Sequence, residues 1–249
     1  MWKKGLKLMG YLLLIAFMVV TLAFSSMESK NVSCRDIQIE FNNDESIKVS
    51  KDEIIRLVRT ADQEIIGKDL RQINAELIEK EIEKHQAILN AEVYKVVTRD
   101  SSSYQGILGV RVSHREPVLR VMSSEGSYYL DESGEKVPLS TEYSARVIVA
   151  SGFFSHDFAR TDMLPFVLFV IHDPFWEAQL EQIHREQNGN ILLTPLVGDH
   201  VIELGSLDNF QVKLRNLKAF YEQVMVQNNW DKYRQVSVKY NNQIIAKKR

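Results

Sequence analysis

The chain has 249 residues, and its charges nearly balance, with 31 Lys and Arg against 33 Asp and Glu and a formal net charge of -2. This balance gives no general attraction to nucleic acid or to an anionic surface. A hydrophobic share of 45% is normal for a globular chain, and the length suits one large domain or two small ones. The single cysteine, Cys34, excludes an internal disulfide and a cysteine-rich metal site.

An uncharged apolar segment, Leu8 to Phe24, lies close to the N-terminus. Its ~17 residues are near the lower limit for crossing the ~30 Å hydrocarbon core of a bilayer. Lysines beside such a segment stay in the cytoplasm, and the sequence therefore predicts a cytoplasmic tail over 1–7 and an anchor over 8–24. The lysines in question are Lys3, Lys4 and Lys7. A cleaved signal peptide is the alternative, with an apolar region of usually about 7–15 residues and a small-residue cleavage site.

A small α+β domain is predicted after a polar spacer over residues 25–34. The pattern favours two helices on one face of a three-stranded sheet, in the order β-α-α-β-β, over residues 35–117. Leu77, Ile78 and Ile82 are expected to form the inner face of the second helix. The predicted elements are a strand at Arg35–Phe41, a helix opened by a Ser50-to-Glu53 capping box, a helix capped by Asn74, and strands at Ala91–Thr98 and Ile107–His114 around a loop at Asp100–Gln105.

Arg115-Glu116-Pro117 interrupts the strand pattern, because proline lacks a backbone donor and ends a strand or confines it to an edge. We therefore predict a domain boundary near residue 117 and a second domain over 118–249. Its predicted elements are a hairpin of Val118–Val121 and Tyr128–Leu130, a strand at Arg146–Ala150, a buried helix at Thr161–Ile171, strands at Leu180–His184, Asn190–Thr194 and His200–Leu204, a helix capped by Asp208 or Asn209 and ended by Asn228-Asn229, and strands at Gln235–Tyr240 and Gln243–Lys247.

Several short motifs occur in a fixed order along the chain. They are Ala91-Glu92-Val93-Tyr94, Arg115-Glu116-Pro117-Val118, Tyr128-Tyr129-Leu130-Asp131-x-x-Gly134, Val137-Pro138-Leu139-Ser140, Gly198-Asp199-His200, Leu204-Gly205, and Trp230-Asp231-Lys232-Tyr233 before Lys239-Tyr240. With the cationic tail and the apolar segment, they resemble the FtsQ/DivIB cell-division family of the Bacteroidetes type over nearly the whole chain. The resemblance implies a single transmembrane helix, a POTRA domain and a mixed antiparallel β domain with helices.

The same resemblance implies a function. It implies a non-enzymatic scaffold of the divisome in the inner membrane, with its bulk in the periplasm at the division site. Its partners would be FtsB-like and FtsL-like bitopic proteins, through which it links early and late division proteins and helps to control the septal peptidoglycan synthesis machinery. In that family FtsB binds along the terminal strands, and the matching residues here are Lys239, Tyr240, Asn242, Gln243, Ile244, Ile245, Ala246, Lys247 and Lys248.

The position of the terminal strand also makes it a candidate binding site, independently of the resemblance. With no strand after it, Gln243–Lys247 is expected to have one open side, and the unpaired backbone groups of an open side invite another strand. Tyr240 is the candidate anchor residue, since aromatic side chains dominate interface energetics. The alternative is that Tyr240 packs into the core. The basic end, Lys247 to Arg249, either guards this edge or selects an acidic partner.

Catalysis is the competing class of function. Ser151, Ser155, His156 and Asp157 bring a hydroxyl, an imidazole and a carboxylate close in sequence, which keeps an anchored or secreted hydrolase as the alternative. Adjacent residues rarely form a triad, however, and no G-x-S-x-G motif is present. No metal-ligand pattern and no Gly-rich phosphate loop occurs, so no cofactor, metal or nucleic acid is expected. A POTRA-bearing assembly factor of the outer membrane is a third possibility, but it requires a following barrel of amphipathic strands.

Overall fold

A computed structural model describes residues 2–28, 32–42, 49–100, 103–140, 144–225, 230–240 and 243–249. The chain divides into two compact units between Ser113 and His114, a few residues before the predicted boundary at residue 117.

The first helix, α1, spans Trp2–Glu28. In its segment 9–22 the large apolar side chains are between 53% and 71% exposed. Among the described residues, no helix is long and apolar enough to cross a bilayer.

Apart from α1, the first unit is a three-stranded sheet with two helices. Its elements are β1 (Cys34–Phe41), α2 (Lys51–Ala61), α3 (Ala75–Glu83), β2 (Ile88–Asp100) and β3 (Ser103–His114), with a 3₁₀ turn at Leu70–Gln72. The strands lie in the order β1-β3-β2, and β1 runs parallel to β3. The predicted β-α-α-β-β order is confirmed, but β2 and β3 are longer than predicted, so that Asp100 and the residues from Ser103 to Gln105 lie in strands and not in the predicted loop.

The N-cap bonds predicted for Ser50 and Asn74 are both present in the first unit. Ser50 Oγ accepts from the Glu53 amide at 3.2 Å, and Asn74 Oδ1 accepts from the Leu77 amide at 3.2 Å. Ile78 and Ile82 of α3 are fully buried, whereas Leu77 is 48% exposed. The prediction that Leu77 faces inward is therefore wrong. In so short a helix, the i,i+4 pair of isoleucines is enough to cover the sheet, and Leu77 lies about 100° around the helix from Ile78.

The second unit is built on one nine-stranded mixed sheet. Its strands are β4 (Pro117–Ser123), β5 (Gly126–Asp131), β6 (Lys136–Val137), β7 (Ile148–Gly152), β8 (Leu180–Arg185), β9 (Ile191–Pro195), β10 (Val201–Gly205), β11 (Tyr233–Ser237) and β12 (Ile245–Lys248). Their order is β12-β11-β10-β9-β8-β7-β4-β5-β6. The pairs β4–β7, β7–β8 and β10–β11 are parallel, and the other pairs are antiparallel.

The helices of the second unit supply one side of its core. They are α4 (His156–Phe158), a π-helical turn at Ala159–Met163, α5 (Leu164–His172), α6 (Pro174–Glu177) and α7 (Phe210–Gln223). Alternate strand residues, including Ile183, Leu193 and Val236, are buried in one cluster with Phe166 of α5 and Leu217 of α7. Apolar side chains from both layers are thus buried together. Burial of apolar surface stabilises the fold by roughly 25 cal/mol for each Å² removed from water.

Two motifs that were distant in sequence meet at one ion pair. Arg115 Nη1 donates to Asp131 Oδ2 at 2.7 Å, and the Asp131 side chain is 8% exposed. Asp131 Oδ1 accepts from the Ser133 amide, the Ser133 hydroxyl and the Glu135 amide at 3.0, 2.7 and 2.8 Å. Arg115 thereby holds the chain before β4 against the turn that follows β5, next to the pairing of Pro117 with Asp131.

Several predicted bounds in the second unit need correction. The strand predicted at Arg146–Ala150 is Ile148–Gly152, and the strand predicted at Gln235–Tyr240 is Tyr233–Ser237. Asn209 precedes α7 with a left-handed backbone (φ 52°) and makes no side-chain capping bond. Its conformation, rather than its side chain, starts the helix. Helix α7 ends at Gln223, before the predicted Asn228-Asn229, which lie outside the described residues.

Candidate protein-interaction edge

Strand β12 lies at one end of the nine-stranded order and pairs on one side with β11. The pairing is antiparallel, with Ser237 opposite Ile245, Val236 opposite Ala246, and Gln235 opposite Lys247. Arg249 extends it, since its amide donates to the Lys232 carbonyl at 3.1 Å. The other side of β12 therefore faces away from the sheet.

The direction of each backbone donor follows from this last bond. In an antiparallel strand, successive amides point alternately toward and away from the paired strand. Because the Arg249 amide points toward β11, the amides of Lys247 and Ile245 also point toward β11. The amides of Ala246 and Lys248 then point outward, where a further strand would bind.

The two faces of this edge differ in character. On one face, Glu203, Gln235 and Lys247 form a polar row across three strands. Gln235 Nε2 donates to Glu203 Oε2 at 3.1 Å, and Lys247 Nζ donates to Gln235 Oε1 at 3.0 Å. Lys239 Nζ adds a contact of 3.8 Å to Glu203 Oε1. This row fixes the side chains on the face that carries Lys247.

The other face carries a groove between α7 and the start of β12. It has a volume of about 430 Å³. Its lining combines apolar and amide side chains: Asn216, Ala219, Phe220, Gln223, Val224, Gln243 and Ile244. Ile244 and Ala246 also pack against the core of the unit. A strand added to β12 would place alternate side chains toward this groove.

Contacts at the chain end hold β12 in place. Arg249 Nη2 lies 3.2 Å from Asp199 Oδ2 and donates to the Asp199 carbonyl at 3.1 Å. The neighbouring His200 is 1% exposed, and its Nε2 lies 2.6 Å from the Tyr221 hydroxyl oxygen. Burial, together with the charge of Arg249, lowers the pKa of His200, so the imidazole is neutral near pH 7. His200 is a packed core side chain, as predicted.

The predicted partner-binding residues do not all lie in the strand. Ile245, Ala246, Lys247 and Lys248 form β12, and Gln243 and Ile244 lead into it. Lys239 and Tyr240 follow β11 rather than lying within it, since that strand ends at Ser237. Tyr240 is 55% exposed and is not a core residue. Asn242 lies outside the described residues.

The serine and histidine side chains of the hydrolase alternative do not form a catalytic triad. Ser151 Oγ lies 2.9 Å from Nδ1 of His184, not of His156. Ser155 caps α4, and His156 Nδ1 lies 3.2 Å from the Tyr128 hydroxyl oxygen. A groove of about 560 Å³ beside Glu177 and Glu181 is lined mainly by apolar side chains and contains none of these serines or histidines.

The parts of the chain that the structure describes contain no cluster of three His, Cys, Asp or Glu side chains able to hold a metal ion.

The polar row and the groove were not predicted from the sequence. Glu203, Gln235 and Lys247 are far apart in sequence and meet only through strand order. The motif Gly198-Asp199-His200 was visible, but its ion pair with Arg249 depends on the path of the chain end.

Comparison with known proteins agrees with this architecture. A family model described as "POTRA-like domain" matches residues 32–100, and one described as "FtsQ/DivIB, C-terminal related" matches residues 116–247. The protein named "Cell division protein FtsQ" from Salinibacter ruber (strain DSM 13855 / M31) is 25% identical over 196 residues, which cover 74% of this chain and 73% of that protein. The fold and these matches therefore place the chain in a class of bacterial cell-division proteins with two compact units after the N-terminal helix. The chain belongs to the FtsQ/DivIB family, and the resemblance noted from its motifs is confirmed.

Proposed function

We propose that this chain is a non-enzymatic, single-pass scaffold of the divisome. It binds FtsB-like and FtsL-like bitopic division proteins in the periplasm, and thereby links early and late division proteins and helps to control septal peptidoglycan synthesis. Family membership supports the role in division. The observation that carries the binding mode is the position of β12 at the end of the sheet, with one backbone side directed away from it.

Strand addition is the binding mode that suits this edge. Backbone hydrogen bonds supply affinity, and pockets for alternate side chains supply specificity. A partner strand beside β12 would bond the outward amides of Ala246 and Lys248. Its side chains on one face would meet the groove beside Phe220 and Ile244. Those on the other face would meet Lys247, which favours a carboxylate at that position.

Replacing Ala246 with proline tests the edge directly. Proline removes an outward donor and leaves the bonds from the Ile245 and Lys247 amides to β11 available. We expect at least a tenfold loss in affinity for the periplasmic part of an FtsB-like partner, because one backbone bond is lost and the ring blocks close approach. The measurement is calorimetric titration or a quantitative pull-down with the full chain in detergent micelles.

Ile245→Pro is the matched control, because its amide points toward β11. It should disturb the sheet itself and lower the melting temperature, whereas Ala246→Pro should leave that temperature nearly unchanged. Unchanged partner affinity in a folded Ala246→Pro protein would contradict strand addition at β12. Unchanged affinity after deletion of Gln243 to Arg249 would remove the terminal segment from the site altogether.

The anchor is the second part of the proposal. The apolar sequence from Leu8 to Phe24 follows three lysines, and residues 9–22 of α1 present exposed apolar side chains. We propose that this segment is an uncleaved anchor with the N-terminus in the cytoplasm. The mature protein in the membrane fraction should then have the intact mass from Met1 to Arg249. A mass that lacks the residues before Ser29 would show that a signal peptide is removed.

A further inference from the structure

The sheet of the POTRA-like unit also ends in a long strand. In the order β1-β3-β2, strand β2 lies at one end and spans 13 residues. The unpaired backbone groups of such a strand are a ready template for another strand. Val96 and Val97 of β2 are 36% and 52% exposed, which adds apolar surface beside those groups.

Helix α3 occupies part of this edge with two carboxylates. Glu79 Oε1 accepts from the Val93 amide at 2.7 Å, and Glu83 Oε1 accepts from the Ala91 amide at 3.2 Å. Ala91 and Val93 are two apart, so their amides point the same way, outward from β3. Lys95 is the next residue in this series, and its ammonium group crosses to the Ile73 carbonyl at 2.7 Å.

The fit has a simple geometric origin. Residues four apart on a helix are separated by ~6 Å along its axis, at a rise of about 1.5 Å for each residue. Residues two apart on a strand are separated by about 6.7 Å. Glu79 and Glu83 therefore match Val93 and Ala91 one to one along antiparallel directions. Bonds from an amide to an ionised carboxylate are stronger than those between neutral groups.

We propose that Glu79 and Glu83 close the β2 edge against a second copy of this chain. A second copy is the relevant competitor because identical edges can pair with each other about a two-fold axis and need no other sequence. Each copy would bring the same two carboxylates to the contact. Self-pairing is then opposed twice, by occupied donors and by repulsion between like charges, whereas a basic partner would meet no such repulsion.

The test is the oligomeric state of the full chain in detergent micelles. In the double variant Glu79→Ala/Glu83→Ala, we expect dimers to form at a concentration at least tenfold lower than in the unchanged chain, measured by sedimentation equilibrium. The matched control is Glu76→Ala/Glu81→Ala. It removes the same charge from the same helix, but Glu76 and Glu81 pair with Lys80 and Lys84 and not with β2. The control should associate no more than the unchanged chain.

Amide hydrogen exchange locates the effect. In the unchanged chain, the Ala91 and Val93 amides should exchange slowly. In the double variant they should exchange faster at low concentration and become protected again as dimers form. Equal association of both double variants, or no gain in association, would overturn the proposal. If the double variant does not fold, rapid exchange of Ala91 and Val93 in the unchanged chain would overturn it, and slow exchange lost in the Glu79→Ala single variant would support it.

Discussion

Replacing Gly152 with alanine is expected to lower the free energy of unfolding of the second unit by about 3 kcal/mol or more, from backbone strain and overpacking together. Gly152 ends β7 with φ +111°, where residues with a Cβ are strained. A Cβ there would also overlap the Arg185 carbonyl oxygen of the neighbouring strand β8. Backbone cannot rotate aside as a side chain can, so β7 and β8 would have to separate.

Gly126→Ala is the matched control for this prediction. Gly126 also has a positive φ, +128°, but a Cβ there has nothing within 4 Å. It therefore isolates backbone strain from the clash, and we expect a cost of about 1–2 kcal/mol. Unfolding is followed by the fluorescence of Trp176 and Trp230, which both lie in the second unit. Equal losses in the two variants would show that the contact with Arg185 contributes little.

The sequence pattern correctly predicted the structural features that depend on residues close to one another in the chain. The Ser50 and Asn74 caps and the strands β8 and β9 each depend on residues within a few positions of one another. The order of β4, β7 and β8 has no such local signal. These parallel neighbours are joined by long connections, and their pairing is decided by the packing of distant apolar faces.

The candidate interaction edge likewise has one feature that the sequence predicts and one that it does not. Strand β12 lies at one end of the sheet, as expected for the terminal strand. The direction of its amides was not predictable, since it depends on the bond between Arg249 and Lys232 and on a register shift between Tyr233 and Gln235 of β11. The pairing directs the amides of Ala246 and Lys248 outward, and that of Ile245 toward β11.

Loss of the Asp131 carboxylate is expected to have an effect as large as that of Gly152→Ala. In Asp131→Ala, Arg115 loses its partner in a largely buried position, and the turn loses three bonds that Asp131 Oδ1 accepts. Removing one member of a buried pair costs about 3–5 kcal/mol. We expect about 3 kcal/mol here, because Arg115 is still 20% exposed. Fluorescence-detected unfolding at pH 7 measures the loss.

The pH dependence shows how much of this stabilisation depends on the ionised carboxylate of Asp131. Burial raises the pKa of Asp131, but hydrogen bonds from Ser133 and Arg115 outweigh it, and the pKa lies below its usual value. The unfolded chain therefore binds this proton first, near pH 3.9. The stabilisation is complete above that pH and is lost as the pH falls through the lower pKa of the folded state. Asp131→Asn keeps an oxygen for the turn but cannot titrate. Its deficit in the free energy of unfolding, relative to the unchanged chain, should shrink between about pH 5 and pH 2. A deficit that stays constant would show that the negative charge of Asp131 contributes nothing.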